Sequence, residues 1–278
     1  MALSPSGSTL SDQATDIIRP SGPSETGRRI VNVRERSPER IVPDETSVGV
    51  VSWHLKKYEF ATQFCANKVV LDAGCGVGYG GFWLSKVAAS VTGVDLSAEA
   101  IGYASRRYGN PKSQFMMADL AALPVPSKSF DVVCAFEVIE HVPDAAKVLR
   151  EIQRVLRDDG VLVVSTPQVK RTTTRPQNPH HQIEYSLADF RALLSPFFAQ
   201  ADVLGQRRVQ SNIHYYLQKM DVLKLRTWAV PRILRRKAGR LLHTTPTEDL
   251  GLDDLEVTQV GLSRATELVA VCSLPVRP

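Results

Sequence analysis

Three acids, Asp72, Asp95 and Asp119, each close a short apolar run, and a glycine-rich turn, Ala73-Gly74-Cys75-Gly76-Val77-Gly78-Tyr79-Gly80-Gly81, follows the first of them. Glycines at such a place let the backbone turn sharply and come close to a ligand. Gly76 to Gly81 also satisfies the G-x-G-x-x-G spacing of dinucleotide sites, a pattern of little weight when it stands by itself. Asp72 argues against that ligand, because a carboxylate just ahead of the glycines opposes a pyrophosphate, which needs bare N–H groups. It suits a ligand that presents an ammonium group. Asp95, 23 residues further on, can accept from both hydroxyls of a ribose, a role equally open to an NAD site. Asp119 stands where an adenine amino group needs an acceptor. An ammonium, a ribose diol and an exocyclic amine together describe S-adenosylmethionine (AdoMet). Helix capping explains any one of the three acids but not the set.

Methyl transfer from a sulfonium is an in-line displacement, so a site must align the reactants and take a proton when the acceptor is a hydroxyl. His181 is the candidate base, because it falls in the loop after the fifth apolar run and an imidazole titrates near neutrality. Its competing role is to anchor that loop through Glu184, and His180 is its neighbour control. His54 and Tyr58 lie one helical turn apart and share a face, with Tyr58 placed either to close the pocket or simply to pack.

The elements that position these groups alternate along the chain. A helical pattern spans 44–65, with Val48, Val51, Leu55 and Tyr58 on one face. Lys68–Asp72, Ser90–Asp95, Gln114–Met117, Asp131–Ala135 and Val161–Ser165 read as strands. Helices are expected through Ala88, from an N-cap at Ser97 to Tyr108, over 143–157, and from an N-cap at Ser186 to Leu194. Gly160 is expected to break the chain before the fifth strand. Wholly apolar strands alternating with helices imply a parallel sheet covered on both faces, a doubly wound α/β fold. Phe197–Leu204 and Glu267–Ser273 are expected as sixth and seventh strands. The division expected is a disordered tail at 1–27, a cap-helix region at 28–66, a core at 67–206, a basic helical insertion at 207–263, and the last strand with its tail at 264–278.

The run Val70-Leu-Asp-Ala-Gly-Cys-Gly-Val-Gly-Tyr-Gly80 resembles the first motif of the class I AdoMet-dependent methyltransferases. Val94-Asp95-Leu96-Ser97, Ala118-Asp119-Leu120, and Phe130-Asp131-Val132-Val133 through Glu137-Val-Ile-Glu-His141 are similar to its later motifs, in order, over about residues 66–166. The resemblance implies a mostly parallel seven-stranded sheet with an antiparallel last strand. It implies that Asp72, Gly74 and Gly76 line the methionine end of AdoMet, Asp95 and Leu96 the ribose and adenine, and Asp119 and Leu120 the adenine. Glu137 would face cofactor and acceptor, and the helix bearing Tyr58 would cover the cofactor. The E-x-x-E-H cluster of Glu137, Glu140 and His141 resembles one associated with a divalent metal in ubiquinone-pathway O-methyltransferases. Local pairing of Glu140 with His141 is the favoured reading, so no metal ligand is assigned. Glu39–Pro43, His54–Tyr58 and Asn178–Ser186 further resemble bacterial methyltransferases of surface polysaccharide and glycolipid synthesis, which implies a small-molecule, sugar or glycolipid acceptor.

Composition narrows the remaining choices. Hydrophobic residues make up 43% and charged residues 23% of the 278, a globular balance. No apolar run reaches the roughly 18–20 residues of a membrane span, and the start of the chain lacks the pattern of a secretory signal. Cys65, Cys75, Cys134 and Cys272 are scattered, which favours a reducing cytoplasm. The net charge of +5 is local: residues 219–240 hold eight Lys/Arg against Asp221 alone. A nucleic-acid binder would spread its charge over several elements, so no nucleic-acid partner is expected. Residues 217–242 are instead basic and amphipathic, as in helices that lie on anionic membranes or in a lid over an active site. The rival functions are a non-catalytic AdoMet-fold binding protein and an RNA methyltransferase. Intact acids argue against the first. The second would want an Asn-Pro-Pro-Tyr-like motif where Phe136-Glu137-Val138-Ile139 stands.

Overall fold

The computed structural model describes Ile17, residues 40–209 and residues 247–276. After a 3₁₀ turn at Pro43–Glu45, helix α1 spans Val48–Cys65. Its buried face carries Val51, Leu55, Tyr58, Ala61 and Cys65 at helical spacing, which is what makes a helix of this stretch against a sheet. There follow β1 (Val69–Ala73), α2 (Tyr79–Ser85), β2 (Ser90–Asp95), α3 (Ala98–Tyr108), β3 (Ser113–Met117), β4 (Phe130–Phe136), α4 (Ala145–Val155) and β5 (Leu156–Pro167). The chain then forms α5 (Leu187–Leu194), β6 (Phe198–Arg208), β7 (Leu255–Thr258) and β8 (Glu267–Pro275).

These strands make one sheet in the order β3-β2-β1-β4-β5-β8-β6-β7. The first five pair in parallel, and β8 runs antiparallel between β5 and β6. Successive residues of the inner strands point to opposite faces. Val70, Val132, Cys134, Val163 and Val269 enter one apolar cluster with α1 and α2. Leu71, Val133, Ala135, Val164 and Ala270 enter the other with α4 and α5. Both faces are therefore covered, as parallel strands require. All four cysteines are free and buried.

Several expectations change. The sheet has eight strands rather than seven, because Leu255–Thr258 adds an edge strand antiparallel to β6. That strand lies inside the segment expected to be helical. Of 207–263, the described part is the end of β6, three 3₁₀ turns and β7. The core strand β6 also runs on to Arg208, past the expected boundary at 206. The basic stretch 217–242 lies outside the described residues. So does most of the expected tail at 1–27; Ile17 is buried against the α1 side of the core. Gly160 does not end an element. It sits in a bulge of β5, where the register against β4 shifts between Phe130 and Val132. Ser97 and Ser186 cap α3 and α5, accepting from the N–H groups of Ala100 and Asp189. Helix α4 begins at Ala145 with Asp144 as its cap, so Pro143 falls just outside it. No described helix is long and apolar enough to cross a membrane.

Candidate active site

The parallel strands β1 to β4 end on the same side, and a cavity of about 1340 Å³ opens there. Open α/β sheets bind ligands at this edge. The glycine turn forms one wall. Gly74 and Gly76 have φ of +76° and +54°, conformations that side chains with a Cβ rarely adopt. A Cβ on Gly74 would strike Val138, whereas one on Gly76 would project into open space. The missing Cβ of Gly76 thus leaves a cradle. Gly74 and Cys75 donate their N–H groups to the Val94 carbonyl, tying the turn to the end of β2.

Asp95 holds that turn from the other side. Its carboxylate accepts from Gly76 N at 3.0 Å and from Ser97 N at 2.9 Å, with Arg40 3.9 Å away. A carboxylate has about four acceptor sites, so capacity for a diol remains at the cavity wall. Asp119 and Leu120 line the same wall, with Asp119 accepting from Ala121 N at 2.8 Å. Leu96 is 73% exposed on the rim, an apolar surface available to cover a flat ring.

Asp72 is not at the wall. It is fully buried at the end of β1, and the Tyr58 hydroxyl donates to its Oδ1 at 3.1 Å, so the tyrosine covers it. The Gly81 backbone lies beside its Oδ2. Burial pushes the carboxyl up to about 7, although the Tyr58 bond works in the opposite direction. Tyr58 itself lines the cavity and stacks edge-on against Phe136. The glycine cradle and the free capacity of Asp95 suit a ligand such as AdoMet.

Glu137, His141 and His181 line the same cavity. Glu137 follows β4 with φ of 52°, a strained value for a residue with a side chain. Ser165 fixes it by donating to Oε1 at 2.8 Å and accepting from its N–H at 3.1 Å. Lys57, fully buried on α1, lies 3.5 Å from Glu137 and pairs with Glu267, which also accepts from the Trp53 indole. Burial alone would depress the ammonium's pKa, but Glu137 and Glu267 reverse that and raise it. Burial, then the Glu137 charge, lifts Glu267 to about 7, since one ammonium cannot serve both carboxylates. His54 also lines the cavity, and burial, with the Lys57 charge, holds its pKa well below the usual value.

His181 anchors its loop at the edge of the cavity. Its Nδ1 lies 2.9 Å from Glu184 Oε1, and Asn178 Nδ2 lies 3.0 Å from its Nε2. The loop-anchoring bond therefore exists, while the residue still lines the cavity. The E-x-x-E-H cluster does not form as a unit. Glu137 turns to Ser165 and Lys57, while Glu140 is fully buried with Thr166 and its own backbone N–H beside its carboxyl. Burial, then the charge of Glu137, pushes its carboxyl well above the usual range. Nor do Glu140 and His141 pair, because His141 Nδ1 bonds to the His180 carbonyl at 3.1 Å. Instead, Glu140, His141 and His181 each bring one ligand atom within 4.8 Å of the others.

Sequence reasoning missed Lys57, Ser165 and Glu267. Lys57 carried a signal, since it shares the buried side of α1 with Tyr58 and Ala61. Nothing local marked Ser165 or Glu267, whose roles come from pairing across the sheet.

A glycine cradle, a strand-end acid beside it and a mostly parallel sheet with an antiparallel β8 are the class I methyltransferase fold. Residues 71–164 match the methyltransferase domain family. The chain is 38% identical over 165 residues to a "probable S-adenosylmethionine-dependent methyltransferase" of Mycobacterium tuberculosis, covering 56% of this chain and 58% of the relative. It thus spans little more than half the length of that relative. It is also 32% identical over 183 residues to the phthiotriol/phenolphthiotriol dimycocerosates methyltransferase of Mycobacterium leprae, covering 64% of each chain. With the fatty-acid O-methyltransferase of Mycolicibacterium smegmatis it shares 29% over 195 residues, covering 66% of this chain and 65% of that one. Among solved structures, an S-adenosylmethionine-dependent methyltransferase of Thermotoga maritima has the same fold at a TM-score of 0.54 and 15% identity, covering 80% of this chain and 89% of that one. AdoMet is the methyl donor of this class.

Proposed function

We propose that this chain is an AdoMet-dependent methyltransferase that methylates a hydroxyl of a small-molecule, sugar or glycolipid acceptor. The observation that carries the reading is one cavity lined by two dissimilar sets of residues. Gly76, Asp95 and Asp119 are the set proposed to take the nucleoside, and Glu137 and His181 line the same cavity. Its volume of about 1340 Å³ exceeds the ~300–1,000 Å³ usual for one small ligand, which leaves room for an acceptor beside the donor. The relatives named for a fatty acid and for phthiotriol dimycocerosates support an acceptor of lipid character. So does the basic, amphipathic sequence of 217–242, which suits an anionic membrane surface.

AdoMet supplies a methyl group on a sulfonium that leaves as a neutral thioether. The chain's own part is to align the acceptor oxygen with it and to receive the hydroxyl proton. In this reading His181 receives that proton: Glu184 accepts from Nδ1–H, and the Nε2 lone pair takes the proton once the Asn178 amide, 3.0 Å away, releases it. Ser165 and Lys57 hold Glu137 beside the same space, where its charge favours the developing imidazolium.

Incubating the protein with methyl-labelled AdoMet and separate lipid and polar sugar extracts tests the reading. Label should enter one fraction, and AdoMet should bind in the micromolar range. Calorimetry showing no AdoMet binding would remove the proposal. His181→Ala should lower the rate of the chemical step by about 10²–10⁴-fold. AdoMet affinity should be nearly unchanged. Near-normal turnover at saturating acceptor would exclude His181 as the base.

A further inference from the structure

Building on the methyltransferase reading, we propose that His54 holds the acceptor by hydrogen-bonding one of its hydroxyls, and that the site rejects an acceptor presented as a carboxylate. Ser47, Val50, His54 and Tyr58 line the cavity at spacings of three, four and four residues, so they form one stripe along α1. Ser47, at the start of the stripe, is exposed, and Tyr58, at its inner end, is buried. With a rise of about 1.5 Å per residue, His54 stands about 10 Å inward from Ser47 and about 6 Å short of Tyr58. This turn of α1 is fixed against the end of β4. Tyr58 stacks on Phe136 with ring centroids 4.8 Å apart, and Lys57 lies 3.5 Å from Glu137.

The His54 ring differs from the other polar groups of the cavity. Asp95, Asp119, Glu137, His141 and His181 each spend at least one polar atom on the protein itself. No described residue hydrogen-bonds to the His54 ring, which lines the cavity. Burial, then the Lys57 charge, keeps that ring neutral at neutral pH. A neutral imidazole offers one N–H donor and one lone pair. A hydroxyl, which also donates and accepts, matches that pair, whereas a carboxylate can only accept and finds no positive charge on the ring.

The charges around the cavity act in the same direction. Among the described residues, its lining holds six carboxylates against two cations, Arg40 and Lys147. Arg40 lies 3.9 Å from Asp95, and Lys147 is exposed on α4. Lys57, next to His54 in space, is fully buried and already paired with Glu267 and Glu137. A carboxylate entering this lining would meet like charge and give up its water without a counter-ion, which is costly. A hydroxyl gives up far less and regains a hydrogen bond at His54.

Octyl glucoside and octyl glucuronide are a matched pair of probes, differing by a hydroxymethyl against a carboxylate. Each is titrated by calorimetry, below its micellar concentration, into the whole chain saturated with S-adenosylhomocysteine. Octyl glucoside should bind, and octyl glucuronide should bind at least about 10-fold more weakly. His54→Ala should weaken octyl glucoside about 10-fold and leave octyl glucuronide nearly as it was, so that the preference collapses. His54→Gln, whose amide also donates and accepts, should recover part of the loss. Both variants should bind S-adenosylhomocysteine as the wild type does, which reports that they fold. Equal affinity for the two probes, no binding of octyl glucoside, or tighter binding of octylamine than of octyl glucoside would overturn the proposal. So would a His54→Ala variant that loses both probes alike, as a packing role requires. Normal S-adenosylhomocysteine binding alongside any of these results leaves the methyltransferase reading standing, and its absence in the wild type removes that reading instead.

Discussion

Asp95 does two jobs at one place, which makes it the sharpest residue-level test of the cofactor site. Its oxygens already accept from Gly76 N and Ser97 N, so its removal frees the glycine turn and, in the proposed reading, deletes the acceptor for the ribose. Asp95→Ala should weaken AdoMet binding by about 1.5–3 kcal/mol, the worth of charge-assisted hydrogen bonds. Titration calorimetry measures this directly, and an unchanged affinity would reject the assignment. Asp72 gives a different signature. Burial raises its carboxyl to about 7, far above an ordinary aspartate, so the folded protein prefers it protonated near and below neutrality. By itself this makes stability fall as pH rises from the ordinary aspartate range through about 7. An arriving ammonium favours the carboxylate, so AdoMet binding should release protons and tighten as pH rises through about 7. Calorimetry in buffers of different ionisation enthalpy reads the proton release, and Asp72→Asn should abolish it. Tyr58→Phe removes the bond that lowers this pKa and should move the inflection to higher pH.

At the scale of elements, α1 is the piece on which the pocket's cover rests. The 3₁₀ turn Thr247–Asp249 packs against its first turn so closely that a Cβ on Gly49 would lie 1.7 Å from the Thr247 carbonyl oxygen. Glu248 of that turn lines the cavity, and Arg208 at the end of β6 bonds to Thr247. The backbone cannot yield as a flexible side chain would, so Gly49→Ala must separate the turn from the helix. The cost should be in the range of other overpacked contacts, about 1–3 kcal/mol. Denaturant unfolding gives the stability change, and hydrogen exchange should localise the loosening to 247–254. A variant with wild-type stability and protection would show that this contact does not hold the cover.

Across the whole molecule, Lys57 ties the first helix to the last strand and to the acceptor wall. Its partner Glu267 is 210 positions away in sequence, at the start of β8, and Glu137 lies at the end of β4. Removing the ammonium leaves two carboxylates beside each other in a dry interior. Lys57→Met should therefore cost about 3–5 kcal/mol, as broken buried pairs do. Lys57→Met combined with Glu267→Gln should recover part of that loss, because the uncompensated charge goes with it. Urea unfolding of the single and double variants decides the matter, and equal losses in both would mean that packing rather than charge is responsible.

The sheet's first five strands, the helices between them and the Ser97 and Ser186 caps were legible from the sequence because their causes are local. Apolar runs of strand length, helical spacing and a hydroxyl ahead of a helix act within a few residues of one another. The acids at strand ends and the glycine turn were legible for the same reason, and they sufficed to name the donor. The eighth strand was not, since Leu255–Thr258 is short and becomes a strand only by pairing with β6. The fate of the charged groups also waited on tertiary structure. Asp72 reads as a wall residue until Tyr58 from another element covers it, and Glu140 reads as a partner for His141 until the sheet buries it. His181 meets His141 only because the loop after β5 folds back over the end of β4, where Gln182 donates its N–H to the Glu140 carbonyl. Which side chain faces water, which faces another charge and which is left unpartnered depend on register and burial between distant segments. Only the folded chain sets those.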